Sequence, residues 1–320
     1  MGNWILRILE TAPEMEAVEA LQRLVWPGSE TEVVPAHMLI AAAHNGGLVI
    51  GAFKGQSQNG PPGNPPLLSG LERPLPGPLA GFVFGFPGLY FTPDGPRPKH
   101  CSHMLAVHPD YRSQGLGYIL KRAQWQMVRH QGVDRITWTY DPLLSRNAYL
   151  NITRLGGVCN TYRKDEYGSL RDGLNAGLST DRFQVDWWVN SKRVERRLSS
   201  QPRLQLDLAH FLAAGAEIAN PTRVDERGFA QPKEDTAPLE LSDPEGEGGR
   251  DEQRIILIEI PADFLALKSA DIQLAHLWRL HTRELFEELF HAGYLVTDFI
   301  HLPGNHSRSF YVLSHGESTL

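Results

Sequence analysis

The sequence has few cysteines, no excess of basic residues and no long apolar run. Cys101 and Cys159 are the only cysteines among 320 residues, too few for a disulfide framework and consistent with a reducing cytoplasm. The formal net charge of −6 argues against broad affinity for nucleic acid, which requires a basic surface. No segment is long and apolar enough to span a bilayer, and the N-terminus lacks the pattern of a signal peptide. We therefore expect a cytoplasmic protein with no nucleic-acid or membrane partner.

A metal centre also has little basis in the sequence. The thirteen histidines are scattered, and none forms a cluster with cysteine at the spacing of metal ligands. We predict no metal site. A chain of 320 residues with 41% hydrophobic composition can bury one large core or two modest ones.

The most informative segment is Leu105-Ala-Val-His-Pro-Asp-Tyr-Arg-Ser-Gln-Gly-Leu-Gly117, which continues into an amphipathic stretch. Its apolar start, ended by Pro109, predicts a buried strand. Gly115 and Gly117 allow close approach of backbone amides, which at a helix N-terminus lack intrahelical acceptors and carry roughly half a positive charge. Arg112 adds a permanent cation. The segment therefore predicts a site for an anion such as a phosphate.

The stretch after the turn has the spacing of a helix that ends near His130. Its apolar face is predicted to contain Leu116, Ile119, Leu120, Ala123 and Met127, and its polar face Lys121, Arg122, Gln124 and Arg129. A dinucleotide fingerprint would need Gly-x-Gly-x-x-Gly earlier in the turn, and a P-loop would need Gly-Lys-Ser/Thr after it. Another phosphate ligand on the same turn stays an alternative.

The pattern Arg112-x-x-Gly115-x-Gly117, placed between a strand and a helix, resembles the acyl-CoA signature of the GNAT superfamily of N-acyltransferases. The segments Thr137-Trp-Thr-Tyr-Asp-Pro-Leu143 and Ser145-Arg-Asn-Ala148 are similar to a bacterial subgroup of acetyltransferases known only by prediction. The resemblance spans roughly residues 3 to 190 and is specific in its motifs from Cys101 to Gly157.

The resemblance implies acetyl-CoA or another acyl-CoA as the cosubstrate, held by the strand, the turn and a later helix. The implied cofactor-binding residues are Leu105, Ala106, Val107, Arg112, Ser113, Gln114, Gly115, Leu116, Gly117, Tyr118 and Asn147. Among them, the backbone amides of Leu105 and Val107 are expected to orient the cofactor.

Transfer of an acyl group to an amine requires a base, and His103 is the best candidate. It lies on the signature strand, on the same face as Cys101 by the period of two, and imidazole exchanges protons near neutral pH. The alternative is a structural histidine at a strand edge. In the family, the general acid is often a tyrosine four residues before the glycine that ends the later helix, but Ile152 occupies that position here. Tyr149 and Asn151 are the substitutes that we consider.

Two further residues are candidates for contact with the acceptor substrate, Arg182 and Tyr140. Arg182 could bind a carboxylate with two parallel hydrogen bonds, or pair structurally with Asp181 or Asp186.

The fold expected from the element order is mixed α/β, a GNAT acyltransferase fold with a smaller C-terminal α/β half. We predict a GNAT domain over residues 1–198 and a half without the CoA signature over 199–320, with 220–254 as a flexible loop because it is acidic and poor in large apolar residues. Loops are also predicted at 55–78 and 87–98, a helix at 145–155 and a strand at 158–167.

The C-terminal half contains a weak echo of the first. Ile258-Glu-Ile-Pro-Ala-Asp-Phe264 is similar to Leu105-Ala-Val-His-Pro-Asp-Tyr111, and in both cases a helix is expected to follow. Leu265-Ala-Leu-Lys-Ser-Ala270 stands where the glycines would be. A degenerate repeat and an accidental similarity both stay open.

These observations predict an N-acyltransferase that acts on the amine of a small molecule or amino acid. The main alternative is a catalytically weak or inactive acyl-CoA sensor or interaction protein, which the isoleucine at position 152 favours. Whether the chain forms a homodimer stays open.

Overall fold

The computed structural model describes residues 3–28, 30–55, 67–68, 77–168, 177–199, 205–233 and 254–315. The chain divides into two compact units. Among the described residues, the first unit comprises those up to residue 138 together with 188–190, and the second comprises those from 139 to 187 and those after 190. The architecture is mixed α/β, as expected from the sequence.

Both units contain strands and helices. The strands of the described residues are β1 Trp4–Ile8, β2 Leu48–Lys54, β3 Leu67–Leu68, β4 Leu79–Thr92, β5 Gly95–Val107, β6 Arg135–Tyr140, β7 Val158–Arg163, β8 Arg182–Trp188, β9 Glu217–Ile218, β10 Thr222–Val224, β11 Ala230–Pro232, β12 Ile255–Ile260, β13 Tyr294–Leu302 and β14 Arg308–His315. The helices are α1 Ala12–Val25, α2 Ala36–His44, α3 Leu116–His130, α4 Ser145–Ala148, α5 Lys192–Leu198, α6 Leu208–Ala213, α7 Phe264–Ala270 and α8 Ile272–His291.

The sheet of the first unit has the order β3-β1-β2-β4-β5-β6. One core cluster lies under α1 and α2 and includes Met15, Leu39 and Phe82. The other lies under α3 and includes Leu116 and Leu120. Because apolar residues recur at helical spacing in α1 and α3, each helix covers one side of the sheet and buries a continuous stripe against it.

The polar face predicted for α3 is only partly correct. Lys121 and Gln124 are 4% and 0% exposed, although both were expected on the solvent side. They contact polar side chains of β5, Ser102 and His100, so the sheet supplies hydrogen-bond partners that the helical pattern alone does not reveal.

The prediction of a loop at 87–98 is wrong, because β4 and β5 form one long hairpin that pairs from Gly81↔Val107 to Thr92↔Gly95. Proline lacks a backbone N–H, so it is tolerated in a strand where no ladder bond is needed. The pairing of β5 with β6 involves His100 and Cys101, beyond Pro96 and Pro98. The two prolines therefore occupy a stretch of β5 that needs no donor toward β6.

The sheet of the second unit has the order β8-β7-β13-β14-β12-β9. The helix predicted at 145–155 begins as α4 and then becomes a π-helical turn over Tyr149–Arg154. The strand predicted at 158–167 ends earlier, at Arg163, where a turn follows. Cys159 on β7 pairs with Val296 on β13, so β7 belongs to the second compact unit. The division into a GNAT domain over 1–198 and a C-terminal half over 199–320 stays a prediction.

The flexible loop predicted at 220–254 is wrong over its first part. Residues 222–224 and 230–232 form a hairpin, in which the Asp225 carboxylate accepts hydrogen bonds from the backbone N–H groups of Arg227 and Phe229. Residues 234–253 lie outside the described residues, as do most residues of the loop predicted at 55–78.

The segment of the C-terminal half that echoes the glycine turn in sequence has a different local structure. Residues 264–270, which replace the glycine turn, are the helix α7. Strands β12 and β13 are both antiparallel to β14, which lies between them. By contrast, β5 and β6 are direct parallel neighbours. Within the described residues, none of the helices has the length and apolarity needed to span a membrane.

Candidate functional site

The glycine turn lies between β5 and α3, as the sequence predicts. A short 3-10 turn at Pro109–Tyr111 follows the strand, and Arg112 is exposed beside it. Ser113 and Gly115 both have left-handed backbone conformations, with φ of 64° and 79°. When residues with left-handed backbone conformation alternate with residues of negative φ, successive N–H groups turn toward one side and form an anion-binding concavity.

The N-terminus of α3 is open toward this concavity. The N–H of Ile119 donates to the carbonyl of Gly115 at 3.2 Å, the first turn of the helix. The N–H groups of Leu116 and Gly117 precede that bond, so the helix itself offers them no acceptor. Together with the helix dipole and the Arg112 guanidinium, they form a positive site suited to a phosphate.

The edge of β5 just before the turn presents further donors. The register of β5 with β6 consists of His100↔Ile136 and Cys101↔Thr137. On its other side, the N–H of His108 donates to the carbonyl of Ala80 at 2.9 Å. Because the direction of N–H groups alternates along an antiparallel strand, those of Leu105 and Val107 point away from β4. They are the amides predicted to orient the cofactor.

His103 occupies a β-bulge. Met104 pairs with Phe84 and Ser102 pairs with Gly85, so His103 is an extra residue with no partner on β4. The side chain is exposed to solvent on one side, and its ring lies 6.0 Å from that of Phe84 and 5.8 Å from that of Phe86 on the other. Desolvation by the surrounding protein, including these rings, lowers the pKa of His103 below 6.5, because the imidazolium loses water. The side chain is therefore neutral at pH 7 and able to accept a proton.

A buried polar network lies on the opposite side of β5, facing α3. Lys121 Nζ donates to Ser102 Oγ at 2.8 Å, and Ser102 Oγ donates to Gln124 Oε1 at 2.8 Å. Gln124 Nε2 lies 3.1 Å from His100 Nε2. Burial lowers the pKa of His100 to about 4, with the nearby Lys121 as a second cause, so His100 Nε2 accepts this bond in the neutral form.

The network extends to β6 through Lys121, whose Nζ lies 3.6 Å from the ring centre of Trp138. Burial also lowers the pKa of Lys121 well below its ordinary value. The network fixes the end of β5 that precedes the bulge. Sequence reasoning missed it, although polar residues at 100 and 102 alternate on one face of the predicted strand.

The candidates for a general acid lie in the second unit. Ile152, at the position where the family often has tyrosine, is fully buried. Asn151 is 5% exposed, and its carbonyl accepts from the N–H of Gly157. Tyr149 instead lines a pocket with three arginines. Asn147 is half-buried at the end of α4.

The two residues predicted to contact the substrate are also built into the second unit. Tyr140 is 5% exposed, and its hydroxyl lies 3.1 Å from that of Tyr311. Burial raises the pKa of Tyr140 well above its usual range. Arg182 is 8% exposed, donates to the carbonyl of Asp181 at 2.9 Å and lies over the ring of Tyr167. Both have structural contacts, and their contact with a substrate stays a prediction.

Comparison with known proteins places a family match across the glycine turn. Residues 72–150 match the model of the Acetyltransferase (GNAT) family. No curated protein matches the chain.

Several solved structures are similar to it at low identity. The ribosomal-protein-S18-alanine N-acetyltransferase from Escherichia coli is 15% identical with a TM-score of 0.39, and the alignment covers 63% of this chain and 99% of that one. An acetyltransferase of the GNAT family from Streptococcus pneumoniae is 14% identical with a TM-score of 0.40, over 57% and 98% of the two chains.

Proposed function

We propose, because residues 72–150 match the model of the Acetyltransferase (GNAT) family, that the protein is an acyl-CoA-dependent N-acyltransferase acting on the amine of a small molecule or amino acid. The observation that carries the proposal is the loop from Arg112 to Gly117. It combines a left-handed Gly115, an open helix N-terminus and an exposed guanidinium in the segment that the family match covers.

The cofactor would bind through the loop and the edge of β5. The backbone amides of residues 113–118, with Arg112, hold the pyrophosphate of coenzyme A, while the outward N–H groups of Leu105 and Val107 bond the pantetheine amides. Ala106 lies between them in β5. Acetyl-CoA is the simplest donor, and Asn147 is a further contact implied by the family resemblance.

The reaction requires a neutral amine. Deprotonation at pH 7 costs about 4.6 kcal/mol for a lysine-like amine of pKa ~10.4 but about 1.4 kcal/mol for an α-amino group of pKa ~8. The amine nitrogen attacks the thioester carbonyl carbon, a C–N bond forms, and His103 accepts the N–H proton. The neutral state of His103 at pH 7 suits this role.

The leaving group makes a dedicated acid less important. The C–S bond breaks and the electron pair leaves on sulfur, giving a thiolate whose conjugate acid has a pKa of about 8.5. Such a thiolate departs without prior protonation and takes a proton from water or from the protonated His103. Tyr149 and Asn151 remain candidates for assisting that step.

Transfer can be tested by measuring release of the coenzyme A thiol from acetyl-CoA with a panel of small primary amines and amino acids. We expect one acceptor class to accelerate release above hydrolysis. Substitution His103→Ala should lower kcat by about 10²–10⁴-fold with little change in the Kd for acetyl-CoA. His130→Ala, at the far end of α3, is the matched control and should retain activity.

A second function has a specific observation in its favour, the fully buried Ile152 at the position of the usual acid. In this alternative the chain binds acyl-CoA without turnover and signals to a partner. Binding of acetyl-CoA by calorimetry, with no amine accelerating release in wild type, would favour the sensor. Absence of any acetyl-CoA binding would contradict both functions.

A further inference from the structure

A polar pocket of the second unit is lined by residues that, apart from Tyr149, have no role in the proposed transfer. Its volume is about 140 Å³. The π-helical turn contributes Tyr149, Thr153 and Arg154, α5 contributes Arg196 and Arg197, and the residues after α5 contribute Ser199 and Gln205. Three of the lining side chains are therefore arginines, and among the described residues the lining contains no carboxylate.

The π-helical turn explains why Tyr149 and Arg154 share the pocket. In an α-helix of 3.6 residues per turn, two residues five apart point about 140° away from each other. The N–H of Leu155 donates to the carbonyl of Leu150 at 3.0 Å, the i→i+5 bond of a π-helix, which widens the turn and brings such residues into line. Turns of this kind occur frequently at functional sites.

The arginines of the pocket differ in how they are bound. Arg197 donates to the Asp298 carboxylate at 2.7 Å and to the carbonyl of Thr153 at 2.9 Å, so it is fixed and its charge is balanced. Arg196 is exposed, and within the described part of the chain its guanidinium has no hydrogen bond or ion pair. The hydroxyl of Tyr149 likewise has no partner among those residues.

The surrounding charge is positive although the chain as a whole is acidic. Helix α5 has the sequence Lys-Arg-Val-Glu-Arg-Arg-Leu, which contains four cations and one anion. Arg154 adds another cation from the π-helical turn. Arg197 is paired with Asp298, but several guanidinium groups around one small cavity still raise the local positive potential, which favours an anion.

The volume limits the ligand to one small group. Sites for drug-sized molecules have about 300–1,000 Å³. At about 140 Å³, the pocket is smaller than such sites and suits one small polar group rather than a whole cofactor. A phosphate monoester carries a charge of about −1.5 to −2 and three acceptor oxygens, which three arginines and a tyrosine hydroxyl can bond at once, whereas a carboxylate has only two oxygens.

We propose that this pocket, formed by the π-helical turn and α5, is a binding site for a phosphate group. Arg197, held in place by its own hydrogen bonds, forms one side of the pocket. Arg154 and Arg196 approach the phosphate from the open side, and the hydroxyl of Tyr149 donates a hydrogen bond to a phosphate oxygen. The phosphate has two sources with the same chemistry, a free phosphate compound or the 3′-phosphate of coenzyme A.

The first test is titration calorimetry of the full chain with inorganic phosphate, at constant ionic strength balanced by chloride. We expect saturable binding, weakened about tenfold or more by Arg196→Gln, since each charge-assisted hydrogen bond contributes substantially to affinity. The variant Arg154→Gln should act in the same direction. The matched control is Lys192→Gln, which removes one charge from the same helix outside the pocket lining and should bind phosphate as wild type does.

Two results would overturn the site: no saturable phosphate binding by wild type, or equal weakening by Lys192→Gln and Arg196→Gln. Circular dichroism of each variant verifies folding. Because the readout is binding of phosphate, absence of acyl transfer would leave the test valid.

A second titration compares coenzyme A with dephospho-coenzyme A. If Arg196→Gln abolishes a preference for coenzyme A, the pocket takes its 3′-phosphate. If that preference is unchanged while inorganic phosphate binds more weakly, the pocket takes a separate phosphate compound. Both results support the phosphate site.

Discussion

The aromatic ring of Phe86 lies 5.8 Å from the imidazole of His103, across the bulge that separates Ser102 from Met104. This ring removes water from one side of the proposed base. Because burial disfavours the charged imidazolium, it is a cause of the lowered pKa of His103.

Replacement of Phe86 by serine should therefore raise the pKa of His103 toward 6.5. In wild type, the acid limb of the pH profile of kcat/KM is expected below 6.5, since the neutral imidazole persists to lower pH, and in Phe86→Ser it should move upward. The measurement needs an acceptor amine of low basicity, whose own titration lies away from this limb. Phe91→Ser, at a phenylalanine 81% exposed in the same hairpin, should leave the limb unchanged. An unmoved limb in Phe86→Ser would contradict the assignment of His103 as base.

Substitution of Gly115 by alanine should weaken acetyl-CoA binding through the backbone. Gly115 has φ of 79° and open space around the position of a Cβ, so the cost is conformational, about 1–2 kcal/mol in the left-handed region. Relief of this strain would turn the amides of the loop, and we expect a Kd at least about tenfold higher, equivalent to ~1.4 kcal/mol.

Gly228→Ala is the control for that experiment, because Gly228 has φ of 85° and equally open surroundings in the β10–β11 hairpin of the second unit. It should lower the free energy of unfolding by a similar amount while acetyl-CoA binds as in wild type. Equal loss of affinity in both variants would count against the loop as the cofactor site.

The buried His100 should make the protein sensitive to acid. Its pKa is about 4 in the folded state and about 6.5 in the unfolded chain, so the unfolded state binds the proton more readily. The stability associated with neutral His100 is present above pH 6.5 and is lost as pH falls toward 4. Between pH 7 and pH 5 this loss amounts to about 2 kcal/mol.

His100→Gln, which cannot titrate, should show a free energy of unfolding that declines less steeply over this range in urea titrations. His37→Gln, at an exposed histidine, should follow the wild-type pH dependence. Parallel pH dependences of wild type and His100→Gln would refute the prediction.

The pair Asp141–Arg279 should be far more sensitive to mutation than a surface pair. Arg279 donates two hydrogen bonds to the Asp141 carboxylate at 2.8 and 2.5 Å, and the two side chains are 3% and 11% exposed. Asp141→Asn leaves a buried guanidinium without its counter-ion and should lower the free energy of unfolding by about 3–5 kcal/mol. Glu30→Gln breaks the exposed pair with Arg23 and should cost less than about 1 kcal/mol. Similar losses in the two variants in denaturant titrations would show that Arg279 is solvated in solution.

The sequence predicts the elements of the first unit well wherever one face is apolar at regular spacing. The signature strand, the glycine turn and α3 are found as expected, because Pro109 and Gly115 mark the boundaries with residues that few other local structures would accommodate. The hairpin over 87–98 was missed, because proline is read as a break unless the absence of a neighbouring strand is known.

The bulge, the π-helical turn and the polar network depend on contacts between distant residues. No local pattern distinguishes Lys121 from a solvent-exposed lysine, since its burial is made tolerable by Ser102 and Trp138 on neighbouring strands. The pocket at Tyr149 is likewise invisible in sequence, because it joins a helix near residue 150 to one near 196. The cofactor residues follow from one local motif, whereas the candidates for acid and substrate contact depend on single positions, since Ile152 interrupts the family's pattern for the acid.

The bulge at His103 also exchanges the faces on which the odd- and even-numbered residues of β5 lie. Before it, His100 and Ser102 face α3; after it, the odd-numbered Leu105 and Val107 pack in the cluster beneath α3 and the even-numbered Met104 and Ala106 in the cluster beneath α1 and α2. One inserted residue thus lets a strand begin with polar even positions toward one helix and end with apolar odd positions toward the same helix. Deletion of one residue here would move every later side chain of β5 to the opposite face of the sheet. The number of residues at the bulge is therefore as strongly constrained as the identity of the core side chains.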